Sequence, residues 1–289
     1  MSTEHLRQNQ IVAKREIAPK TYWYDLYHPK IARKRQAGQF VVIRVHEGGE
    51  RVPLTLVGSD PDRGTVTLIF QAVGHSTMEL ARLEVGDALL DMAGPLGRPT
   101  HIENHGTACV IGGGYGTAPV LPIAEALRGA GNRLIGIIGA RTRGLVILEK
   151  ELGSLCDRLE VATDDGSYGR KGFVTDALAA LIAEGTDIRF VLAVGPTPMM
   201  RAVSELTRQY GIPTMVSLNP IMVDGTGMCG GCRVEVDGQT KFACVDGPEF
   251  DGHLVNFDLL MKRQGAYRAE ERQIAENYEH CRIAGVLDA

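Results

Sequence analysis

The sequence of 289 residues lacks any apolar run that approaches the roughly 20 residues of a membrane-spanning helix. Residues 1–7 contain no apolar segment of the kind that directs export. A basic excess is also absent, and a formal net charge of −4 argues against a general nucleic-acid-binding surface. We therefore expect a cytoplasmic protein with no membrane insertion and no nucleic-acid partner.

Other absences concern chemistry. The spacing of serine, histidine and acidic residues shows no catalytic triad and no pair of carboxylates placed for acid–base catalysis. The six cysteines do not form a disulfide pattern, because Cys109, Cys156 and Cys281 each stand alone and the others crowd together. This distribution fits a reducing compartment and a metal site.

The crowded cysteines form the most informative pattern in the chain. Counted from Asp224, the candidate ligands Cys229, Cys232 and Cys244 follow at gaps of four, two and eleven residues. This is the Cys-x4-Cys-x2-Cys…Cys spacing of plant-type [2Fe–2S] proteins, with aspartate in place of the first cysteine. The pattern predicts an electron-transfer protein with an iron–sulfur cluster.

Two questions about this motif stay open: whether the site holds zinc instead, and whether Asp224 is a ligand. A structural zinc site also uses cysteines, but it often contains two Cys-x2-Cys pairs, and only Cys229 and Cys232 form one here. The glycine-rich loop lets several N–H groups point at sulfur atoms, which favours the iron–sulfur interpretation. Asp224 is either the fourth ligand or a turn residue that precedes glycine.

The first hundred residues predict a β-barrel or sandwich, because short β-prone segments alternate with turn signals. A short helix at 76–83 interrupts them, and hydroxyl groups at its start are suited to capping it. The predicted strands are 10–17, 21–27, 39–45, 53–58, 65–71 and 87–92.

Beyond residue 106, strands alternate with helices, which predicts a doubly wound parallel sheet. The predicted strands are 108–111, 134–139, 159–163, 190–194 and 214–218, the last closing the sheet. The predicted helices are 118–128, 174–182 and 198–210. Asp237-Gly238 between two short β-prone runs predicts a hairpin. We expect four parts: a barrel at 1–102, an α/β domain at 103–218, a cluster module at 219–255 and a helical tail at 256–289.

Two turns of the α/β part are candidates for binding a dinucleotide. Residues 112–117 leave a strand and open a helix, so their N–H groups can approach a pyrophosphate. Residues 195–200 follow another strand and meet the same sheet edge. Either turn also suits packing alone. The candidate residues are Gly113, Gly114, Gly116, Thr117, Gly195, Pro196 and Met199.

The remaining candidates for binding phosphate or ribose are each weak evidence when considered alone. Residues 51–55 place a cation and a hydroxyl on a barrel strand, and residues 74–77 offer a second helix N-terminus to phosphate. Asp164 and Asp165 are either ribose-binding or turn-forming residues. Arg141 and Arg143 follow a sheet strand, where a 2′-phosphate would lie.

In chain order these motifs resemble the ferredoxin–NADP reductase superfamily. The resemblance covers nearly the whole chain. Segments 163–176, 216–224 and 244–253 are similar to one branch of it. That branch comprises dihydroorotate dehydrogenase electron-transfer subunits, sulfide dehydrogenase beta subunits and the small subunits of electron-bifurcating NADH-dependent ferredoxin:NADP⁺ oxidoreductases.

The resemblance implies a Greek-key FAD-binding barrel, an NAD-binding domain and a C-terminal [2Fe–2S] module. Such a subunit passes electrons between NAD(H), FAD and the cluster. The implied partner is a larger subunit with its own FAD and [4Fe–4S] clusters, through which ferredoxin reacts. The implied cluster ligands are Asp224, Cys229, Cys232 and Cys244.

Flavin-binding roles are implied as well. Pro53, Leu54 and Thr55 would line the isoalloxazine, with Thr55 as the catalytic residue near its reactive N5. The other implied flavin-binding residues are Arg51, Gln71, Gly74, Ser76 and Thr77.

The chain departs from the superfamily at two places. Arg51 lies one residue further from Thr55 than in the Arg-x-aromatic-Ser/Thr motif, and Leu54 takes the aromatic position. Val194 stands where a cysteine often precedes the Gly-Pro turn, so no cysteine is expected to assist at the nicotinamide. Asp224 argues against the dihydroorotate branch, which resembles a four-cysteine cluster.

Other assignments remain open. The chain would equally suit the electron-transfer subunit of a sulfide, dihydroorotate or other oxidoreductase complex. A zinc-stapled, nucleotide-binding regulatory module is the alternative of another class.

Overall fold

A computed structural model describes residues 6–267, 269–271 and 273–274 of the chain. Half of the predicted helical tail at 256–289 lies outside these residues, as does Cys281. In its described part, Phe257–Gln264 form a helix. Within the described part of the chain, each helix is too short or too polar to cross a bilayer.

The N-terminal part is an antiparallel six-stranded sheet in the order β1-β2-β5-β4-β3-β6. Backbone bonds from the segment before β6 back to β1, such as Ile11 N–H to Asp87 O at 2.8 Å, close it into the predicted Greek-key barrel. Its helices are α1 (Pro29–Lys34) and α2 (His75–Arg82). Its strands are β1 (Gln10–Ala18), β2 (Thr21–Tyr27), β3 (Phe40–Arg44), β4 (Val52–Asp60), β5 (Thr65–Gln71) and β6 (Asp91–Leu96).

Two expectations about the barrel were wrong. The sixth strand begins at Asp91 rather than at residue 87, because residues 86–89 bond to β1 and only then turn into β6. Helix α1 was not predicted. Its start is nevertheless encoded locally: Pro29 fixes the first helical φ, and Nδ1 of His28 accepts the Ile31 N–H at 3.2 Å.

The second part is the predicted doubly wound sheet, in the order β10-β9-β8-β7-β11-β12-β15, where β15 is Glu249–Asp251. Strands β9, β8, β7, β11 and β12 run parallel, and helices cover both faces. Its helices are α3 (Thr117–Gly129), α4 (Glu149–Leu155), α5 (Val174–Ala183) and α6 (Thr197–Gln209). Its first six strands are β7 (Thr107–Gly113), β8 (Arg133–Ala140), β9 (Arg158–Thr163), β10 (Arg170–Lys171), β11 (Phe190–Val194) and β12 (Thr214–Ser217).

Strand β12 is not the last strand of this sheet, contrary to expectation. After the cysteine motif the chain returns as β15 (Glu249–Asp251), which pairs antiparallel with β12. Between them lies the predicted hairpin, β13 (Arg233–Val236) and β14 (Gln239–Phe242), with positive φ at Asp237 and Gly238. Helix α7 (Phe257–Gln264) follows.

The cluster module shares its core with the sheet. Cys232, Cys244 and Phe250 are buried in one apolar cluster with residues of β7, β11, α5 and α6. The cysteine motif is therefore packed onto the α/β part rather than attached to it by a flexible link.

Candidate functional site

One cleft of about 960 Å³ runs along the carboxyl edge of the parallel sheet. The barrel supplies one wall, the turns after β7 and β11 supply another, and the segment after β12 supplies the third. This segment, 217–222, leads directly into Asp224. The cleft therefore touches all three parts of the chain.

The two predicted glycine turns meet in this cleft. A Cβ atom on Gly113 would lie 2.3 Å from the Met199 sulfur, and one on Gly195 would lie 2.7 Å from the Met199 methyl carbon. Gly114, Gly116 and Pro196 also line the cleft. The end of the Met199 side chain therefore covers the Cβ side of both glycines, and the two turns pack closely against each other at the edge of the cleft.

The turn before α3 is the candidate anion-binding feature of this edge. A Cβ atom on Gly116 would lie 2.2 Å from the carbonyl oxygen of Val194, so only glycine allows the turn to pack against β11. Thr117 is fully buried and does not line the cleft, and its N–H donates to Gly114 O. Gly114, Tyr115 and Gly116 do line the cleft, and a short turn that opens a helix in this way suits a pyrophosphate.

On the barrel side, the predicted residues divide between two faces of β4. Pro53 and Thr55 line the cleft, as does Gln71 at the end of β5. Leu54 does not line it: because side chains alternate along a strand, Leu54 points into the barrel core and is 6% exposed.

The predicted phosphate-binding residues of α2 do not line the cleft either. Thr77 Oγ1 accepts the N–H groups of Val73 at 3.2 Å and Gly74 at 3.1 Å, so it caps the helix. Ser76 is buried and donates its hydroxyl to the Glu50 carboxylate. Arg51 is exposed on the surface.

The far end of the cleft lies at the ends of β8 and β9. Asp164 lines it with an exposed carboxylate, while Asp165 accepts the Ser167 N–H at 2.9 Å and so forms the turn. Arg141 lines the cleft, whereas Arg143 packs its guanidinium over the Tyr168 ring at 5.2 Å. In each predicted pair, therefore, one residue lines the cleft (Asp164, Arg141) and the other does not (Asp165, Arg143).

One residue of this end was missed. Phe173 lines the cleft, and 62% of its surface is exposed, which is unusual for a large apolar side chain. An aromatic ring placed there suits stacking on a nucleotide base. The sequence shows that Phe173 directly precedes the predicted helix, but it does not show that the side chain is exposed.

The cluster loop is organised by Asp224. Its Oδ1 accepts the Thr226 N–H at 2.8 Å, and its Oδ2 accepts the Cys229 N–H at 2.9 Å. The Thr226 bond is the main cause that lowers the pKa of this carboxyl below its usual value. Asp224 is therefore a charged side chain that folds the loop around itself.

Two of the cysteines are already adjacent. The sulfurs of Cys232 and Cys244 lie 3.2 Å apart, and both side chains are buried. Burial, followed by the nearby Cys232 sulfur, raises the pKa of Cys244 to about 12. Such thiols are stable in the protonated form unless a metal takes the place of the protons.

The four donors lie in two pairs, Asp224 with Cys229 and Cys232 with Cys244. In the described residues no three histidine, cysteine or acidic side chains are arranged to hold one metal ion. A two-iron cluster needs two protein ligands at each iron, and two pairs match that requirement. The residues present therefore fit the predicted cluster.

Comparison with known proteins agrees with this arrangement. A model of the iron–sulfur cluster binding domain of dihydroorotate dehydrogenase B matches residues 219–256, and a model of the oxidoreductase NAD-binding domain matches residues 110–205. The dihydroorotate dehydrogenase B (NAD(+)) electron transfer subunit homolog of Thermotoga maritima is 48% identical over 270 residues, 93% of this chain and 95% of that protein. The electron transfer subunit of Geobacillus thermodenitrificans is 34% identical over 83% of this chain and 94% of its own length.

Solved structures give the same result. One chain of an NADH-dependent reduced ferredoxin–NADP oxidoreductase, a structure described in terms of flavin-based electron bifurcation, superimposes with a TM-score of 0.90 and 46% identity. The match covers 96% of this chain and 99% of that chain. Phthalate dioxygenase reductase, at 16% identity and a TM-score of 0.58, shares the fold.

The barrel, the doubly wound sheet and their common cleft define an electron-transfer oxidoreductase of the ferredoxin–NADP reductase type. The chain belongs to the family of dihydroorotate dehydrogenase B electron transfer subunits and their homologues. The predicted family, fold class and oxidoreductase function are thereby confirmed. The iron–sulfur and NAD(H) cofactors agree with the two domain matches, and FAD fits the reductase-type barrel.

Gly116→Ala tests the close approach at the nucleotide turn. The new Cβ would press on Val194 O, so we expect a stability loss of about 1–3 kcal/mol and weaker NADH binding. Thermal unfolding and NADH titration measure the two effects. Gly129→Ala, in the same helix with nothing within 4 Å of the added atom, is the control and should bind NADH normally. Equal behaviour of the two variants would contradict the assignment.

Proposed function

We propose that this chain is the small subunit of an electron-bifurcating NADH-dependent ferredoxin:NADP⁺ oxidoreductase. It passes electrons between NAD(H), FAD and a [2Fe–2S] cluster. The observation that supports this most is the single cleft, which joins the barrel, the nucleotide turns and the segment leading to Asp224. The 46% identical chain over nearly the full length supports the choice among reductases.

Each wall of the cleft has a separate task in this proposal. Pro53 and Thr55 position the flavin ring, with the Thr55 hydroxyl near its reactive nitrogen. Gly113 and Gly195 admit the nicotinamide nucleotide close to that ring, and α3 holds its pyrophosphate. When bound, FAD takes two electrons as a hydride and releases them singly.

The cluster ligands we propose are Asp224, Cys229, Cys232 and Cys244. The hydrogen bonds of Asp224 hold its carboxylate beside Cys229, and the hairpin holds Cys232 beside Cys244. Cys229 is exposed, so this end of the cluster faces outward. An exposed edge is where an external electron acceptor has access.

The partner we propose is a larger flavoprotein subunit with its own FAD and [4Fe–4S] clusters, where ferredoxin and NADP⁺ react. Relatives named as electron transfer subunits support a multisubunit assembly. We place the complex in the cytoplasm, because the cysteines in the described part of the chain are free and three of them, Cys229, Cys232 and Cys244, are clustered.

A second candidate is the electron transfer subunit of a dihydroorotate dehydrogenase. The names of the 34% identical relatives favour it. Asp224 at the position of the first cysteine distinguishes the two candidates, since the dihydroorotate branch resembles a four-cysteine cluster.

Purification from the native host with cofactor analysis tests the proposed function. We expect a yellow-brown complex that contains FAD, iron and sulfide. It should also contain a larger flavoprotein subunit, at which ferredoxin and NADP⁺ react. Recovery with a dihydroorotate-oxidising subunit would support the second candidate. A colourless protein that contains zinc would contradict both.

Replacing Asp224 tests its role as a ligand. Thiolate is the more basic donor and gives more electron density to iron than carboxylate does, so we expect Asp224→Cys to keep the cluster and lower its midpoint potential. Asp224→Ala should lose iron. Redox titration and iron analysis measure these effects, with Asp237→Asn in the neighbouring hairpin as control. An unchanged potential in Asp224→Cys would argue against ligation.

Replacing Asp164 tests the choice of nucleotide. We propose that its carboxylate accepts the ribose 2′-hydroxyl of NADH and repels the 2′-phosphate of NADPH. In Asp164→Asn the neighbouring Arg141 is left to attract phosphate. We expect the ratio of kcat/KM for NADPH over NADH to rise roughly tenfold, or about 1.4 kcal/mol.

Steady-state kinetics with both nucleotides measure this ratio. Asp62→Asn, which removes an exposed carboxylate from the β4–β5 turn of the barrel, is the control. A ratio that stays constant in Asp164→Asn would show that Asp164 does not discriminate between the ribose 2′-hydroxyl of NADH and the 2′-phosphate of NADPH.

A further inference from the structure

Glu249 places a partly buried carboxyl group at the junction of the barrel and the sheet. It lies on β15 opposite Ser217 of β12. Its Oε1 accepts the Thr100 hydroxyl at 2.6 Å. A Cβ atom on Gly38 would lie 2.8 Å from the same oxygen and 2.3 Å from the Thr100 oxygen, so the barrel backbone closes over the pair.

The surroundings of Glu249 offer no counter-charge. The segment on the barrel side carries the neutral Gln36 and Gln39, and β12 presents Ser217. Arg35, directly before Gln36, donates its Nε–H to the Ser59 hydroxyl at 3.3 Å. Arg98, on the connecting segment, directs its guanidinium to Val245 O at 3.0 Å and to Asp246 at 3.6 Å.

On its own strand, Asp251 accepts the His253 N–H at 2.8 Å. No charged side chain among the described residues forms an ion pair with Glu249.

Around this carboxyl, hydrogen bonds connect the segment after the barrel and the end of β12 to the segment that follows Cys244. Arg98 N–H donates to Gly247 O at 2.7 Å, and Leu218 N–H donates to Pro248 O at 2.9 Å. Gly97 lies between the Phe40 ring and Pro248, since a Cβ there would approach them at 2.8 and 3.1 Å. Phe40 and Pro248 both line the cleft.

We propose that Glu249 is a positioning residue of the electron relay. Its carboxyl, bonded to Thr100, fixes the segment between Cys244 and β15 against the barrel and so sets the separation of the flavin and cluster sites. This inference rests on the relay proposed above. Glu249 itself touches neither Cys244 nor the other cluster ligands.

The protonation of Glu249 controls this junction. Burial raises the pKa of its carboxyl to about 7, and the Thr100 bond opposes the rise only in part. The folded chain therefore keeps the proton between the ordinary glutamate pKa and about 7, and its stability falls as the pH rises through that window. Above the window, a buried charge without a partner loosens the contact.

Amide hydrogen exchange in segments 96–100 and 245–250 tests the junction at about pH 6 and about pH 8.5, after correction for intrinsic exchange rates. In the wild type we expect several-fold faster exchange at the higher pH. Glu249→Gln keeps the acceptor for Thr100 and is always neutral, so its exchange should stay slow at both. Glu249→Ala should exchange fast at both, and Thr100→Val removes the same bond if the alanine variant does not fold.

A second measurement compares rates after mixing with NADH. The rate of cluster reduction relative to flavin reduction should fall with pH in the wild type and stay constant in Glu249→Gln. Glu184→Gln, an exposed glutamate paired with Arg158, is the control and should follow the wild type. A Glu249→Gln protein with the wild-type pH dependence would overturn the inference. Because the exchange measurement needs no electron acceptor, its outcome is independent of whether the proposed partner reaction is correct.

Discussion

The pairing of β15 with β12 is the constraint on which the arrangement of the sites depends. The chain leaves the sheet after Ser217, forms the cluster loop and hairpin, and returns to bond with the strand it left. Backbone hydrogen bonds from Leu218 N–H to Pro248 O and from Gly252 N–H to Thr214 O join the two ends of this segment. Because both ends are held, Cys232 and Cys244 lie in the apolar core of the sheet, while Cys229 stays exposed.

Close backbone approach brings the other parts to the same place. A Cβ atom on Gly225 in the cluster loop would lie 2.9 Å from both Val42 and Leu96 of the barrel, so the loop rests directly on β3 and β6. Gly113 and Gly195 provide the corresponding contact between β7 and β11. Glycine at these positions allows the barrel, the cluster loop and the two turns to approach one another without an added side chain between them.

Local signals were enough to predict most elements of the fold. The strands Thr21–Tyr27 and Phe190–Val194 were predicted to the residue, since an apolar-rich run with clear turn signals specifies each of them. Strand β15 was missed because three residues in a Gly-Pro-Asp-rich segment become a strand only through pairing with β12. Leu54 was misplaced because the motif was considered without the alternation of β4, and Phe173 was missed because its exposure depends on the whole cleft.

The hydrogen bonds of Asp224 show that its two predicted roles are compatible. The sequence allowed it to be a turn residue or a ligand, as though one role excluded the other. An ionised carboxylate has about four lone-pair directions, and the Thr226 and Cys229 N–H groups occupy one on each oxygen. The remaining directions stay available for the proposed iron, so the bonds that form the turn would also orient the ligand. A cysteine at this position would supply the ligand but not these two bonds, because sulfur is a weak acceptor. In the proposed cluster, aspartate therefore makes the geometry of the loop and the ligation of iron depend on one side chain.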